Sequence, residues 1–147
     1  MAAKPFLTND EPMTTIKLVF QSMRPRQWPK NAFVFAALIF DRQLFSLQAL
    51  WITSLAVVLF CLASSLVYII NDLTDIETDR LHPIKRKRPL ASGKITKTLA
   101  IITAWILFLL VFPASFLLDL GFGLIISGYF ILMLAYSLWL KHVALID

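Results

Sequence analysis

Three long runs without a single charged residue constrain the fold of this chain more than any other feature. Leu47–Ile70 has 24 residues, Leu99–Leu118 has 20 and Leu120–Leu140 has 21. As an α-helix, each would measure roughly 30 Å or more, which is the thickness of the hydrocarbon core of a bilayer. The chain is 59% hydrophobic and only 16% charged, so a water-soluble globule is not expected. We therefore expect an all-α fold, an integral membrane helical bundle.

A fourth span is predicted upstream of these runs, although charged residues interrupt it. The uncharged run Ala32–Phe40 has nine residues, which are too few to cross a bilayer. Extended back to Val19 it becomes long enough, but it then contains Arg24, Arg26 and Lys30. Because cations at membrane depth usually face a polar cavity or the interface, we expect the basic first half of this span to line a polar site.

The distribution of basic residues predicts the orientation in the membrane. With four spans and a cytoplasmic N-terminus, Arg42 is the single residue among the 14 Lys and Arg that lies outside. The positive-inside rule favours this arrangement over its inverse. The sequence predicts a protein of a bacterial-type inner membrane, with a cytoplasmic tail and surface helix (1–22) followed by a transmembrane domain (23–147). The predicted spans lie at about 24–40, 47–70, 99–118 and 120–140. A long cytoplasmic loop (71–98) connects the second span to the third.

An acidic cluster follows the second predicted span directly. If the helix continues, a rotation of about 100° per residue places Asn71, Asp72, Asp75 and Asp79 on one stripe. Three carboxylates on one stripe repel one another, so a positive group must compensate for them. Mg²⁺ takes oxygen ligands and is usually held by one or two carboxylates together with substrate phosphates. We therefore predict a magnesium site on these four residues; the alternative is a solvated acidic helix end paired with the loop that follows.

A basic segment comes next in the chain, between Pro83 and Pro89. Lys85, Arg86 and Arg88 are able to clamp phosphate oxygens. Alternatively, such residues set the topology and bind anionic headgroups. Beside the acidic cluster, a metal site with a phosphate clamp is the better interpretation, and the net charge of +5 then indicates phosphate or lipid partners and no nucleic acid.

Together these residues resemble the UbiA superfamily of intramembrane prenyltransferases. The matching pattern is Asn71-Asp72-x-x-Asp75-x-x-x-Asp79, followed by Arg88-Pro89 and Ser92-Gly93. Three further strings are similar to the branch that contains decaprenyl-phosphate phosphoribosyltransferases: Arg24-Pro25-Arg26-Gln27-Trp28-Pro29-Lys30-Asn31, Asp79-Arg80-x-His82-Pro83-x-Lys85-Arg86-x-Arg88-Pro89 and Tyr136-Ser137-x-x-Leu140-Lys141.

The resemblance implies a bundle of about nine helices, of which this chain would be the N-terminal half. It also implies that a polyprenyl phosphate oxygen attacks the anomeric carbon of phosphoribosyl diphosphate, and that diphosphate leaves with Mg²⁺. Asp72, Asp75 and Asp79 would be the catalytic metal-binding residues, supported by Asn71. The residues that would contact substrate are Arg24, Gln27, Lys30, Asn31, Lys85, Arg86 and Arg88.

Two alternatives stay open at this stage. The same metal site can hold a prenyl diphosphate in a polyprenyltransferase with an aromatic acceptor, or the chain can be an inactive membrane fragment or subunit. The expected partners are a polyprenyl phosphate or diphosphate lipid, phosphoribosyl diphosphate and membrane lipids.

Overall fold

The computed structural model describes residues 12–42 and 45–144, and this part of the chain contains helices and turns but no strand. The predicted all-α fold class is confirmed. The helices are α1 (Pro12–Ser22), a 3₁₀ segment (Pro25–Phe35), α2 (Ala36–Phe40), α3 (Leu47–Thr74), α4 (Ile76–Leu81), a short 3₁₀ turn (Lys85–Lys87), α5 (Lys97–Leu118), α6 (Leu120–Ala135), a π-helical turn (Tyr136–Leu140) and α7 (Lys141–Ala144).

Three helices of the described residues are long and apolar enough to cross a membrane. They are α3, α5 and the continuous helix Leu120–Val143, which joins α6 to the π-helical turn and α7. They coincide with three of the predicted spans. Their length and apolar composition are those of membrane-spanning helices.

Each of these three helices begins at a residue whose side chain caps it. The side-chain oxygen accepts a hydrogen bond from the backbone N–H three residues further on, which satisfies one of the free donors of the first turn. Asp119 also separates α5 from α6 by itself, because its extended backbone interrupts the helix for one residue. The three capping pairs are Ser46 with Ala49, Thr96 with Leu99 and Asp119 with Phe122.

The predicted span over residues 24–40 differs from the structure, because it is not one long α-helix. Arg24 has a left-handed backbone conformation (φ 53°, ψ 57°), which ends the preceding helical turn. Pro25 and Pro29 lack the N–H that an α-helix needs, and the chain follows a 3₁₀ helix until α2 begins at Ala36. This segment runs antiparallel to α3, since Trp28 and Asn31 bond to residues progressively closer to the beginning of α3.

The core lies where α3 packs against α5 and the loop before α5. Its buried apolar side chains come from α3, α4, α5 and the loop: Leu66, Ile69, Ile76, Leu90, Ile95, Ala100 and Leu107. A smaller cluster of Ala63, Val111 and Ile126 joins α3, α5 and α6. The loop is therefore part of the folded core, and it positions the residues that precede Pro89 against the end of α3.

Candidate functional site

The acidic motif lies at the end of α3, and the helix is interrupted before it reaches residue 79. α3 ends at Thr74, and Asp75 has φ −103° and ψ 10°, outside the helical geometry. α4 then begins at Ile76. Of the four predicted metal ligands, Asn71 and Asp75 contact Lys141, whereas Asp72 and Asp79 contact Arg88. They form two separate groups, each neutralised by cations from other parts of the chain.

The first group, which we call the arginine–aspartate cluster, comprises Arg24, Asp72, Asp79 and Arg88. Arg88 Nη1 donates to Asp79 Oδ2 at 2.7 Å and to Asp72 Oδ1 at 3.1 Å. Arg24 Nη2 donates to the same Asp72 oxygen at 2.6 Å. The two carboxylates are almost fully buried, with side chains 5% and 2% exposed. Buried charges require such partners, because leaving one of them unpaired is strongly destabilising.

Arg24 is held in this cluster by a second contact. Its guanidinium carbon lies 4.6 Å from the centre of the Tyr68 ring, a cation–π arrangement. The left-handed backbone of a residue other than glycine costs roughly 1–2 kcal/mol. The ion pair to Asp72 and the contact with Tyr68 offset that cost, so the unusual backbone at Arg24 is coupled to the position of its charged group.

The second group, which we call the lysine cluster, comprises Asn71, Asp75, Ser137 and Lys141. Lys141 Nζ donates to both Asp75 oxygens at 2.6 and 2.7 Å and to Asn71 Oδ1 at 3.1 Å. Ser137 Oγ donates to Asn71 Oδ1 at 2.5 Å. The cluster joins the end of α3 to the π-helical turn. Short π-helical segments within α-helices often occur at functional sites.

Neither Ser137 nor Lys141 was among the predicted site residues. A signal for them exists in the sequence, since they are four residues apart and Lys141 directly follows an uncharged run of 21 residues. That spacing places both side chains on one helix face. What they face depends on how the last span crosses α3, which the local pattern does not encode.

The other predicted residues of the first segment take different positions. Asn31 Nδ2 donates to Ser64 Oγ at 3.3 Å, so it anchors the 3₁₀ segment to α3. Gln27 lines a cavity between α1 and the 3₁₀ segment, and Lys30 is exposed. Among the described residues of this segment, Arg24 alone forms an ion pair with the acidic motif.

In the basic loop, the structure brings Arg88 to the acidic residues and leaves Lys85 and Arg86 exposed. His82 explains the difference, because its Nδ1 accepts hydrogen bonds from the backbone N–H groups of Ile84 and Lys85. These bonds fold the chain into the short 3₁₀ turn, whose residues are all exposed. Within the part of the chain that is described, Lys85 and Arg86 have no ion-pair partner.

The described residues contain no group of three or more His, Cys, Asp or Glu side chains that could hold a metal ion by themselves. The acidic motif instead presents carboxylate and amide oxygens in two pairs: Asp72 with Asp79, and Asn71 with Asp75. Each pair is in contact with at least one cationic side chain. The site is thus an ion-pair network at one end of a helical membrane bundle.

An ion-pair network at the end of apolar spanning helices defines the class of this protein as an integral membrane protein with a charged site at one end. The UbiA prenyltransferase family matches residues 31–147, and the chain belongs to that family. The predicted resemblance is therefore confirmed, and with it the assignment to a family of prenyltransferase-type enzymes.

Individual relatives agree with this assignment. The chain is 36% identical over 144 residues to decaprenyl-phosphate phosphoribosyltransferase of Mycobacterium tuberculosis, which covers 92% of this chain and 46% of that protein. It is 36% identical over 133 residues to the protein of the same name from Corynebacterium glutamicum, with 88% and 40% covered. It is also 45% identical over 78 residues to a nodulation protein of Azorhizobium caulinodans, with 52% and 24% covered. The chain thus spans about half the length, or less, of these relatives.

Proposed function

We propose that this chain forms the diphosphate-binding part of a Mg²⁺-dependent membrane transferase. The observation that carries the proposal is the pairing of three carboxylates with three cations from distant parts of the chain. The pairs are Arg24 with Asp72 at 2.6 Å, Arg88 with Asp79 at 2.7 Å and Lys141 with Asp75 at 2.6 Å. Ion pairs of this kind can be exchanged, because a diphosphate offers new partners to the cations and a divalent ion offers one to the carboxylates.

The oxygen donors of the acidic motif fit Mg²⁺ in type. Mg²⁺ is usually held by one or two carboxylates together with substrate phosphates and water. A pair such as Asp72 and Asp79 meets that need, and Asn71 and Asp75 would supply the second pair of oxygens. When bound there, Mg²⁺ would neutralise the negative charge that develops on a departing diphosphate.

The substrates follow from the relatives, two of which are named decaprenyl-phosphate phosphoribosyltransferase. For this chain we propose phosphoribosyl diphosphate as donor and a polyprenyl phosphate as acceptor. The acceptor's phosphate oxygen forms a bond to the anomeric carbon, the bond from that carbon to the diphosphate breaks, and diphosphate leaves with the bonding electrons. Arg24, Arg88 and Lys141 would bind the diphosphate oxygens and orient the sugar. Positioning and charge stabilisation are sufficient for this chemistry, so no protein nucleophile is required.

The basic loop beside the ion-pair network supports a cytoplasmic site. The ion-pair network lies at the ends of α3 and of the last spanning helix, next to the basic loop. Because basic loops are retained on the cytoplasmic side, we place the network there, where a soluble sugar diphosphate has access to it.

The experiment measures binding of phosphoribosyl diphosphate to the full 147-residue chain in phosphatidylcholine nanodiscs, with and without Mg²⁺. In protein that keeps its helical content by circular dichroism, Arg88→Gln should weaken binding by roughly 10- to 100-fold, since a hydrogen bond to a charged group contributes about 1.5–3 kcal/mol. Arg80→Gln is the matched control, because Arg80 is exposed and pairs with the exposed Glu77. It should change the affinity by less than about threefold.

Two outcomes would contradict the proposal. If both arginine variants weaken binding equally, or if Mg²⁺ has no effect, the network is structural and the chain is an inactive membrane component. If farnesyl diphosphate binds through Arg88 and phosphoribosyl diphosphate does not, the donor is a prenyl diphosphate, as in a polyprenyltransferase with an aromatic acceptor.

A further inference from the structure

A cavity of about 510 Å³ lies between α1 and the 3₁₀ segment, apart from the acidic side chains described above. We call it the basic cleft. Arg24 is the one residue that belongs both to its lining and to the arginine–aspartate cluster. The lining also includes Lys17, Phe20, Gln21, Arg26 and Gln27.

The placement of α1 indicates that the basic cleft opens at the membrane surface. Ser22 is buried, and with Val19 it faces the side of α3 that carries Asp72. On the remaining surface Ile16 and Phe20 form one exposed apolar flank. Lys17 and Gln21, each one residue further on, form a polar flank beside it. A helix with one flank of each kind is typical of those that lie in the interface between headgroups and acyl chains.

The two walls of the basic cleft are fixed to α3 before any ligand binds. The rings of Phe20 and Trp28 meet edge to face with centroids 5.6 Å apart. Trp28 Nε1 donates to Ser65 Oγ at 3.0 Å, and that hydroxyl lies 2.9 Å from the carbonyl oxygen of Met23. Ser65 therefore connects both walls to the buried face of α3. A preformed site of this kind loses little conformational freedom on binding.

The chemistry of the lining selects an anion with more than one negative charge. Lys17 and Arg26 have no ion-pair partner among the described residues, and none of the described residues that line the basic cleft is acidic. Gln21 and Gln27 add amide donors. Two cations with neutral donors suit a phosphate monoester, which carries close to two charges, better than a phosphodiester, which carries one.

From these contacts we infer that the basic cleft binds the phosphate monoester head of a polyprenyl phosphate, with the start of its chain along Ile16 and Phe20. The identity of the lipid rests on the proposed function. The inference assigns the two substrates to different places: the diphosphate donor to the ion-pair network, and the acceptor's phosphate to the basic cleft. Arg24 borders both, so the acceptor's phosphate would lie next to the donor.

The test uses the full chain in phosphatidylcholine nanodiscs that contain a small fraction of undecaprenyl phosphate, without phosphoribosyl diphosphate. Retained lipid is counted by native mass spectrometry. Lys17→Gln/Arg26→Gln should lower retention by about tenfold, because it removes both charge-assisted contacts to the phosphate that the lining of the cleft offers. The matched control, Lys94→Gln/Lys97→Gln, removes the same charge from exposed positions outside the basic cleft and should have little effect. The charge-preserving pair Lys17→Arg/Arg26→Lys should retain the lipid, and circular dichroism checks the helical content of every variant.

The inference is overturned if both glutamine pairs lower retention equally, since the attraction is then a general property of the surface charge. It is overturned too if phosphatidylglycerol is retained as well as undecaprenyl phosphate, or if ribose 5-phosphate displaces the lipid, which would make the cleft a site for a soluble phosphate. None of these outcomes bears on Mg²⁺-dependent binding at Arg88. A failure of the basic cleft is thus distinguishable from a failure of the proposed function.

Discussion

Arg88 Nη1 lies 2.7 Å from Asp79 Oδ2, and this contact joins the last residue before the buried Pro89 to the helix that follows the break at Asp75. The same nitrogen also reaches Asp72 on α3. One guanidinium therefore ties together two helices and the loop between α4 and α5. Because both carboxylates are buried, the contact both neutralises their charge and stabilises the packing of α3, α4 and the loop.

We expect Arg88→Gln to destabilise the chain strongly, because it leaves the buried Asp79 unpaired, and Asp79→Asn to destabilise it less, because Arg88 keeps its contact with Asp72. Removing one partner of a buried pair leaves an uncompensated charge, which costs about 3–5 kcal/mol. The free energy of unfolding of the double variant should fall by clearly less than the sum of the two single losses, since both charges of the pair are then removed together. The measurement is the free energy of unfolding in micelles, titrated with sodium dodecyl sulfate.

Glu77→Gln is the control for this cycle, because Glu77 belongs to an exposed pair with Arg80 in the same segment. Exposed pairs contribute about 0–1 kcal/mol, so its effect should be small. Additive losses in the Asp79–Arg88 cycle would show that the two side chains stabilise the fold independently of each other.

Lys141 should hold the end of the last spanning helix against α3. Lys141→Met removes three short hydrogen bonds to Asp75 and Asn71, so we expect faster amide hydrogen exchange across the π-helical turn and α7. His142→Met is the matched control, since His142 is an exposed neighbour on the same helix. Equal exchange in both variants would mean that apolar packing, and not the lysine cluster, positions this end of the helix.

The sequence predicts the apolar spans well and the intervening contacts poorly. The runs now in α3, α5 and α6 are uncharged over a membrane thickness, and capping residues such as Ser46 and Thr96 mark where two of them begin. Over residues 24–40, charge and length predict a span, but the local geometry is decided by the prolines and by the left-handed backbone of Arg24.

For the candidate site too, the sequence indicates the local motifs but not the contacts between distant parts of the chain. Arg24, Arg88 and the acidic motif are recognisable from their local strings, and the structure brings them together. The contact of Lys141 with Asp75 joins residues 66 positions apart, so it depends on the crossing of two spans. The interruption of the helix after Thr74 has no glycine or proline in the sequence that would predict it.

Two buried serines provide a matched test of how polar groups contribute inside the bundle. Ser65 and Ser115 are both fully buried, but Ser65 Oγ contacts Trp28 and the carbonyls of Met23 and Cys61. Ser115 Oγ has no hydrogen-bond partner among the described residues. Ser65→Ala should cost about 1–3 kcal/mol, because it leaves the indole N–H of Trp28 unpaired.

Ser115→Ala should be neutral or stabilising by a few tenths of a kcal/mol to about 1 kcal/mol, since it removes an unpaired hydroxyl and alanine favours the helix. Thermal unfolding of both variants in the same detergent compares them directly. Equal losses of stability would mean that Ser115 has a partner that its contacts do not reveal.

Two glycines of α6 should respond in opposite ways to the same substitution. A Cβ atom on Gly123 would lie 2.5 Å from Cδ1 of Phe116, well inside van der Waals contact, whereas a Cβ on Gly128 would meet nothing within 4 Å. Gly123→Ala must therefore displace the ring of Phe116, and we expect it to destabilise the α5–α6 pair by about 1–3 kcal/mol. Gly128→Ala should instead stabilise by about 0.5–1 kcal/mol, because alanine restricts the unfolded backbone more than glycine does.

The comparison separates helix packing from helix propensity, because both positions lie on one helix and receive the same methyl group. Unfolding free energies in micelles give the two values, and Gly123→Ala combined with Phe116→Leu gives a further check. A smaller side chain at residue 116 should recover part of the loss, since the clash is with the aromatic ring itself. If Gly123→Ala is as stable as Gly128→Ala without that second change, the two helices do not need the close approach at Gly123.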